Sequence, residues 1–243
     1  MFLIADKYWE IKTIPKKGRG VFAKTDILPG CVIGDYLGKV VRTDEVTSKD
    51  QNYTMGCNNE CSILPDIPTV GIHYINHSCA PNCAMFMYRA HTLYYSLRHI
   101  FKEEELTVCY LLGSPTDEDV PCQDVCYCAT PVCRGTMHNS EDLNQKFYSY
   151  VKKHQPKFFD RIPVDIGSYV KPLEEYPEII SDNQIFDIFG SLKHEPFISN
   201  ETTMPSLKEI RRRIRETGKL LRFPHIGIEV YGVMSGLLVS RYI

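Results

Sequence analysis

Apolar residues along the first 113 positions come in short runs broken by turns. Residues 8–14 read as a strand, Pro15 to Gly20 as a turn, and Val21, Phe22 and Ala23 as an apolar strand, before Leu28, Pro29 and Gly30 turn the chain again into the apolar run 31–37. A polar stretch at 42–52 has room for a helical turn or two. Residues 71–75 then lead into the small polar residues Asn76, His77, Ser78 and Cys79. Residues 92–100 are strand-like, 102–105 form a charged turn, and 106–112 are apolar enough for a buried strand.

Beyond residue 139 the period moves toward that of a helix. Ser140 caps a helix with Leu143, Phe147, Tyr150 and Val151 on one face, and Pro156 marks its end. Ser181 with Gln184 forms a capping box above Ile185, Ile188, Phe189 and Leu192. Ser206 with Glu209 repeats that arrangement above Leu207, Ile210 and Ile214, with Gly218 as a stop. Strands are expected at 221–223 and 227–233. The pattern predicts a β-rich first half and a mostly helical C-terminal appendage.

Composition narrows the function classes. The chain has 243 residues, 43% apolar and 24% charged, enough to bury a core in one or two domains. Lys and Arg number 28 against 30 Asp and Glu, so at a net charge of -2 nothing global argues for a polyanion partner, and direct nucleic acid binding, which would need a local patch, is not expected. The basic run Lys208, Arg211, Arg212, Arg213 and Arg215 is a local exception, and it also fits an exposed helical face. Residues 1–6 are too short for a signal peptide, and no run approaches the roughly 18 apolar residues of a membrane span. A soluble intracellular chain, nuclear or cytoplasmic and without a membrane partner, is expected.

All ten cysteines lie between Cys31 and Cys133. Without an export signal, metal ligation is a better expectation than disulfides. Cys126, Cys128 and Cys133 place three thiols in a short polar loop with little apolar mass, where a bound ion can stand in for a core. A tetrahedral zinc needs a fourth ligand, and Cys122, Cys79 and Cys83 are the candidates that spacing leaves open. Cys57 and Cys61 read as ordinary thiols.

Several stretches together resemble the SET-domain protein lysine methyltransferases and their post-SET zinc motif. They are Lys17-Gly-Arg-Gly-Val-Phe-Ala23, Asp35-Tyr-Leu-Gly38, Tyr74-Ile-Asn-His-Ser-Cys-Ala-Pro-Asn82, Glu104-Glu-Leu-Thr-Val-Cys-Tyr110 and Cys126-Tyr-Cys-Ala-Thr-Pro-Val-Cys-Arg-Gly135. The resemblance implies a SET-domain β-fold of small sheets with a pseudoknot over 1–115, a zinc-bound post-SET segment over 116–139 and the C-terminal part over 140–243. It implies S-adenosylmethionine bound by Lys17, Gly18, Arg19, Gly20, Asn76 and His77, a catalytic Tyr110, and Cys79 as fourth zinc ligand beside Cys126, Cys128 and Cys133.

Tyr36, Tyr53 and Val108 are then candidates for the substrate channel. Val108 and Cys109 stand where the family commonly has an aromatic residue and Asp, which leaves the number of methyl groups transferred open. Glu103 stands where a Gly is common. The implied reaction is methyl transfer to a protein lysine, with a basic histone tail as the leading substrate; the acids Glu103 to Glu105 and 117–119 could attract it. A non-histone substrate and a non-enzymatic zinc-containing interaction protein are the alternatives.

Overall fold

The computed structural model describes residues 1–47, 53–56, 60–65, 71–113, 124–130, 132–154, 165–180, 221–223, 228–234 and 237–242. Strands β1 (Trp9–Ile14) and β2 (Gly18–Ala23) form an antiparallel hairpin running from Trp9 opposite Ala23 to Ile14 opposite Gly18. Its turn closes because Lys16 and Gly18 take left-handed φ values of 66° and 81°. Two further strands precede the middle of the chain, β3 (Val32–Asp35) and β4 (Gly38–Arg42). After them come β5 (Met55–Gly56), β6 (Cys61–Leu64), β7 (Asn76–His77), β8 (Cys83–Tyr88), β9 (His91–Ser96) and β10 (Glu105–Val108).

The small sheets divide the work of positioning. One has the order β1-β2-β10-β7 and another β3-β9-β8. In the first, β10 runs antiparallel to β2 and parallel to β7, setting Thr107 opposite Asn76 and Val108 opposite His77. Its inward residues Val21, Leu106 and Val108 are at most 1% exposed and pack with Ile33, Val40 and Ile72 in one core. The expected strand over 106–112 stops at Val108, and Leu111 at φ 56° turns the chain away just after Tyr110. Glu103 has φ 74°, which gives a reason for the Gly common at this turn: a side chain there costs about 1–2 kcal/mol.

Helix α1 (Glu141–His154) begins as expected, with the Ser140 hydroxyl accepting a 3.3 Å bond from the Leu143 amide. Its Phe147 is buried against Met87, Leu111 and Tyr150. The helices expected after Ser181 and Ser206 lie outside the described residues. What is described beyond α1 is extended: β11 (Tyr169–Val170), then an antiparallel sheet of β12 (Leu221–Phe223), β13 (Ile228–Met234) and β14 (Leu237–Tyr242). The protein is mainly β, and among the described residues the C-terminal part holds one helix and four strands rather than being mostly helical.

Residues 165–180 return to the N-terminal sheets. β11 pairs antiparallel with β4 in the sheet β11-β4-β6-β5, and Ile179 bridges Cys31. Backbone bonds from Val32 to the Glu178 carbonyl (2.9 Å) and from Ile180 to the Gly30 carbonyl (2.8 Å) fasten its far end. No helix among the described residues is long and apolar enough to cross a membrane.

Candidate functional site

The loop after residue 124 has little core of its own, and sulfur takes the place of one. The Sγ atoms of Cys79, Cys126, Cys128 and Cys133 all lie within 4.8 Å of one another, with Cys79 and Cys126 3.7 Å apart. Ligands about 2.3 Å from a tetrahedral zinc stand about 3.8 Å apart, so the spacing suits a metal of that size. The donor set fits as well. Backbone amides of Arg134 and Gly135 reach Cys79 and Cys133 at 3.5 Å, and that of Cys128 reaches Cys126 at 3.4 Å, the kind of bond that stabilises thiolate charge.

Hydrogen bonds from Cys126 and Cys79 pull the Cys128 thiol far down while the first of them, in the same sharing of protons, is driven up. Cys83 is fully buried in β8 beside Asn82 and is not part of the cluster. Cys122 lies outside the described residues. Cys61 is disulfide-bonded, unlike the free thiol expected of it.

Three residues away from Cys79, Asn76 and His77 meet the hairpin and the end of β10. The Asn76 amide donates to the Arg19 carbonyl (3.0 Å) and to Glu105 Oε1 (2.9 Å). Lys17 Nζ pairs with Glu105 Oε2 at 2.6 Å. Gly20 is required by this approach: a Cβ there would stand 2.4 Å from Ile14 Cδ1 and 2.8 Å from Asn76 Nδ2. Gly18, by contrast, faces open space. His77 accepts a 3.2 Å bond from the Tyr110 amide and has its Nε2 3.6 Å from Cys79 Sγ. Burial holds its pKa down at about 4, so the ring is neutral near pH 7.

Tyr110 therefore stands beside both the Asn76–His77 pair and an aromatic cluster. Its hydroxyl donates to the Ile75 carbonyl at 3.2 Å, and its ring lies 5.5 Å from that of His77. Burial, reinforced by Glu105, pushes the phenol well above its ordinary pKa. Tyr36 donates its hydroxyl to the Tyr53 carbonyl and is 6.3 Å, ring to ring, from Tyr94. Tyr53 meets Tyr74 edge-on at 5.7 Å, and the Arg19 guanidinium lies 4.1 Å above Tyr74. Val108 is 1% exposed within the same core. Such a cluster of aromatic rings disfavours a charged amine against it.

The segment 124–139 is tied to the residues just after β10. The Asn139 carboxamide oxygen accepts from Arg134 (3.2 Å) and from the Cys109 thiol (3.4 Å), while its amide donates to Leu112 (3.0 Å). His138 Nε2 lies 2.9 Å from Asp124, and its Nδ1 contacts the Gly113 carbonyl. On the opposite side Lys16 Nζ sits 5.6 Å from the Tyr127 ring centre. The segment carrying the sulfur cluster thus touches both the hairpin turn and the residues just after β10.

Residues 18–111 match the family described as SET domain. Over these residues the chain is similar to a SET domain. It is related to histone-lysine methyltransferases and carries four cysteines able to hold a metal, Cys79 within the matched stretch and Cys126, Cys128 and Cys133 after it. Histone-lysine N-methyltransferase TRX1 of Oryza sativa subsp. japonica is 31% identical over 142 residues, which is 53% of this chain and 13% of that protein. Histone-lysine N-methyltransferase Su(var)3-9 of Drosophila melanogaster is 29% identical over 159 residues, 51% of this chain and 24% of that protein. The chain therefore spans less than a quarter of these relatives.

Among solved structures, KRYPTONITE in complex with mCHG DNA and SAH matches with a TM-score of 0.46 and 26% identity, covering 54% of this chain and 29% of that one. The expectation against direct nucleic acid binding is withdrawn, because KRYPTONITE itself was solved with DNA bound. The physical reason is that net charge averages over a whole chain, whereas a local patch is enough to hold a phosphate backbone.

The residues alone gave no site role to Tyr74, Tyr94 and Asn139, and gave Glu105 a different one. Glu104 and Glu105 were expected to attract a basic peptide, yet they are 0% and 6% exposed. Glu104 pairs with Arg98 at 2.9 Å and accepts the Phe101 amide, so neither acid is open to a substrate. The acids 117–119 and the basic run 208–215 lie outside the described residues. Tyr74 had a signal, its place two residues before Asn76; Asn139, whose partners Cys109 and Leu112 lie far back in the chain, had none.

Proposed function

We propose that the chain is an S-adenosylmethionine-dependent protein-lysine N-methyltransferase acting on a lysine of a basic protein segment, with a histone tail as first choice. The observation that carries this reading is the packing of Tyr110 beside His77 and in one core with Tyr36, Tyr53, Tyr74 and Tyr94. A nuclear location accompanies it. So do a catalytic unit over 1–115 with the pseudoknot of its fold, a zinc segment over 116–139, and a further part over 140–243.

Bound S-adenosylmethionine would supply a methyl group already activated on a sulfonium. Lys17, Gly18, Arg19 and Gly20 line its cradle, where Gly18 leaves space and Gly20 permits close approach. Asn76 spends its amide hydrogens on Arg19 and Glu105, and its carbonyl oxygen, which meets no donor among the described residues, is free to accept from an ammonium. Zinc on Cys79, Cys126, Cys128 and Cys133 would be structural, joining the loop to the segment of Asn76.

The amine of a free lysine is neutral in only roughly one molecule in a thousand near pH 7.4, a cost of about 4 kcal/mol. The tyrosine cluster lowers that cost by desolvating the ammonium form. The Tyr110 hydroxyl orients the amine, and its raised pKa keeps it a neutral hydrogen-bonding group rather than a phenolate. Alignment is the main demand, and misplacement by about 1 Å can cost about 100-fold.

The test is radiolabelled methyl transfer to core histones and a peptide array, with mass spectrometry to find and count the methyl groups. Tyr110→Phe should lower the rate by about 100-fold or more while leaving zinc content unchanged. A chain that binds the cofactor yet methylates no protein would remove the enzymatic reading.

A further inference from the structure

We propose that Glu105 is a positioning residue of the methyl-donor site, acting through Asn76 and Lys17 to set donor affinity while touching neither donor nor substrate. This rests on the methyltransferase reading above and assigns to that site a residue whose acid looks, in sequence, like part of a charged turn.

The carboxylate is almost enclosed. Its side chain is 5% exposed and that of Lys17 12%, with 2.6 Å between Oε2 and the ammonium. Its other oxygen accepts from Asn76 Nδ2 at 2.9 Å. A Cβ on residue 20 would lie 3.0 Å from that same oxygen, so the bare backbone of the hairpin closes the third side. Glu105 is itself held in place, paired with Phe22 across β2 and β10, while its carbonyl accepts from Asn82 Nδ2 at 2.8 Å. One side chain thus fastens the glycine turn, the Asn76 segment and the strand leading to Tyr110.

Charge decides what this does. An amide can face a neighbour with either its NH2 or its carbonyl, but only NH2 is tolerated against a carboxylate and the Arg19 carbonyl together. Glu105 therefore selects the flip of Asn76 in which the carbonyl oxygen is turned the other way, as required to accept from the donor's ammonium. It also neutralises the Lys17 ammonium in the cradle of a donor that carries a positive sulfonium. A glutamine would match Glu105 in shape but could present either end to Asn76, so the selection would rest on the Arg19 carbonyl alone and is weakened.

The experiment uses the full chain with its metal, and S-adenosylhomocysteine as calorimetric probe. Glu105→Gln should weaken binding by about 10-fold and raise KM for S-adenosylmethionine in step, leaving KM for the peptide, zinc content and melting temperature near those of the unaltered chain. Lys17→Met should weaken binding by about threefold. A folded Glu105→Gln protein that binds the probe within twofold of the unaltered chain overturns the proposal. Should Glu105→Gln fail to fold, Lys17→Met decides, and unchanged affinity in that variant overturns it equally. An unaltered chain that does not bind the probe at all removes the methyltransferase reading first, and the proposal with it.

Discussion

Two segments that follow β10 in the chain fold back onto the small sheets, and they are held by different physics. Residues 124–139 have an exposed Val125, Tyr127 and Val132 and rest on four sulfurs plus a few polar ties to 109–113. Residues 165–180 are held by backbone pairing to β4 and to the turn at Gly30. A buried hydrogen bond from Tyr176 to Asp35 at 2.7 Å adds to it. With a metal held by those sulfurs, the first attachment would be removable by taking away the ion; the second is built into strand pairing. A segment fastened by a metal can also be lost independently of the core, which places the weak point of the molecule beside Tyr110.

The largest break in that comparison comes from the metal. Chelation, or Cys126→Ser, should abolish methyl transfer and raise hydrogen exchange throughout 124–139, while amides of 165–180 stay protected. Metal analysis should find one zinc per chain before treatment. Structural zinc supplies on the order of 10 kcal/mol to small domains that depend on it, far more than the few polar ties here can replace. A treated protein that lost zinc but kept its activity would show the cluster to be no part of the working site.

A smaller break targets the other segment. Gly30 has φ 77°, and a Cβ there would stand 2.7 Å from the Ile180 carbonyl. Gly30→Ala should destabilise the protein by about 2 kcal/mol, measured by urea unfolding, since the left-handed backbone alone costs about 1–2 kcal/mol for a residue with a Cβ. Zinc content should be unchanged, and the added exchange should appear in 165–180.

The difference between the segments also explains what could be read from residues alone. The hairpin of β1 and β2 was legible because its strands and turn are contiguous, and α1 because Ser140 and the Leu143 and Phe147 spacing are local. The cysteine loop was legible as a metal candidate, since three of its thiols fall within eight residues, although only the family resemblance pointed to Cys79. Residues 165–180 were assigned to a helical part because nothing local names their partners, which lie at Gly30, Cys31, Asp35 and Val40. Short strands such as β6 and β7 escaped for the same reason: two to four residues carry too little pattern, and their form comes from neighbours distant in sequence.

The finest test of the comparison is Tyr176→Phe. Its hydroxyl both donates to Asp35 Oδ2 and accepts the Leu173 amide at 2.9 Å, so it closes the turn of the segment and fastens it to β3. Asp35 is 0% exposed, but the same oxygen lies 2.7 Å from His91 Nδ1, so loss of the tyrosine would not leave it bare. The expected cost is therefore about 1 kcal/mol, near that of a single hydrogen bond and below that of an abandoned buried acid. Because Asp35 precedes Tyr36, whose hydroxyl reaches the Tyr53 carbonyl, a shift transmitted this way should raise KM for the peptide and leave donor affinity alone. Increased exchange in 124–139, or loss of zinc, would mean that the two attachments are coupled through the core and are not the separate devices their chemistry makes them.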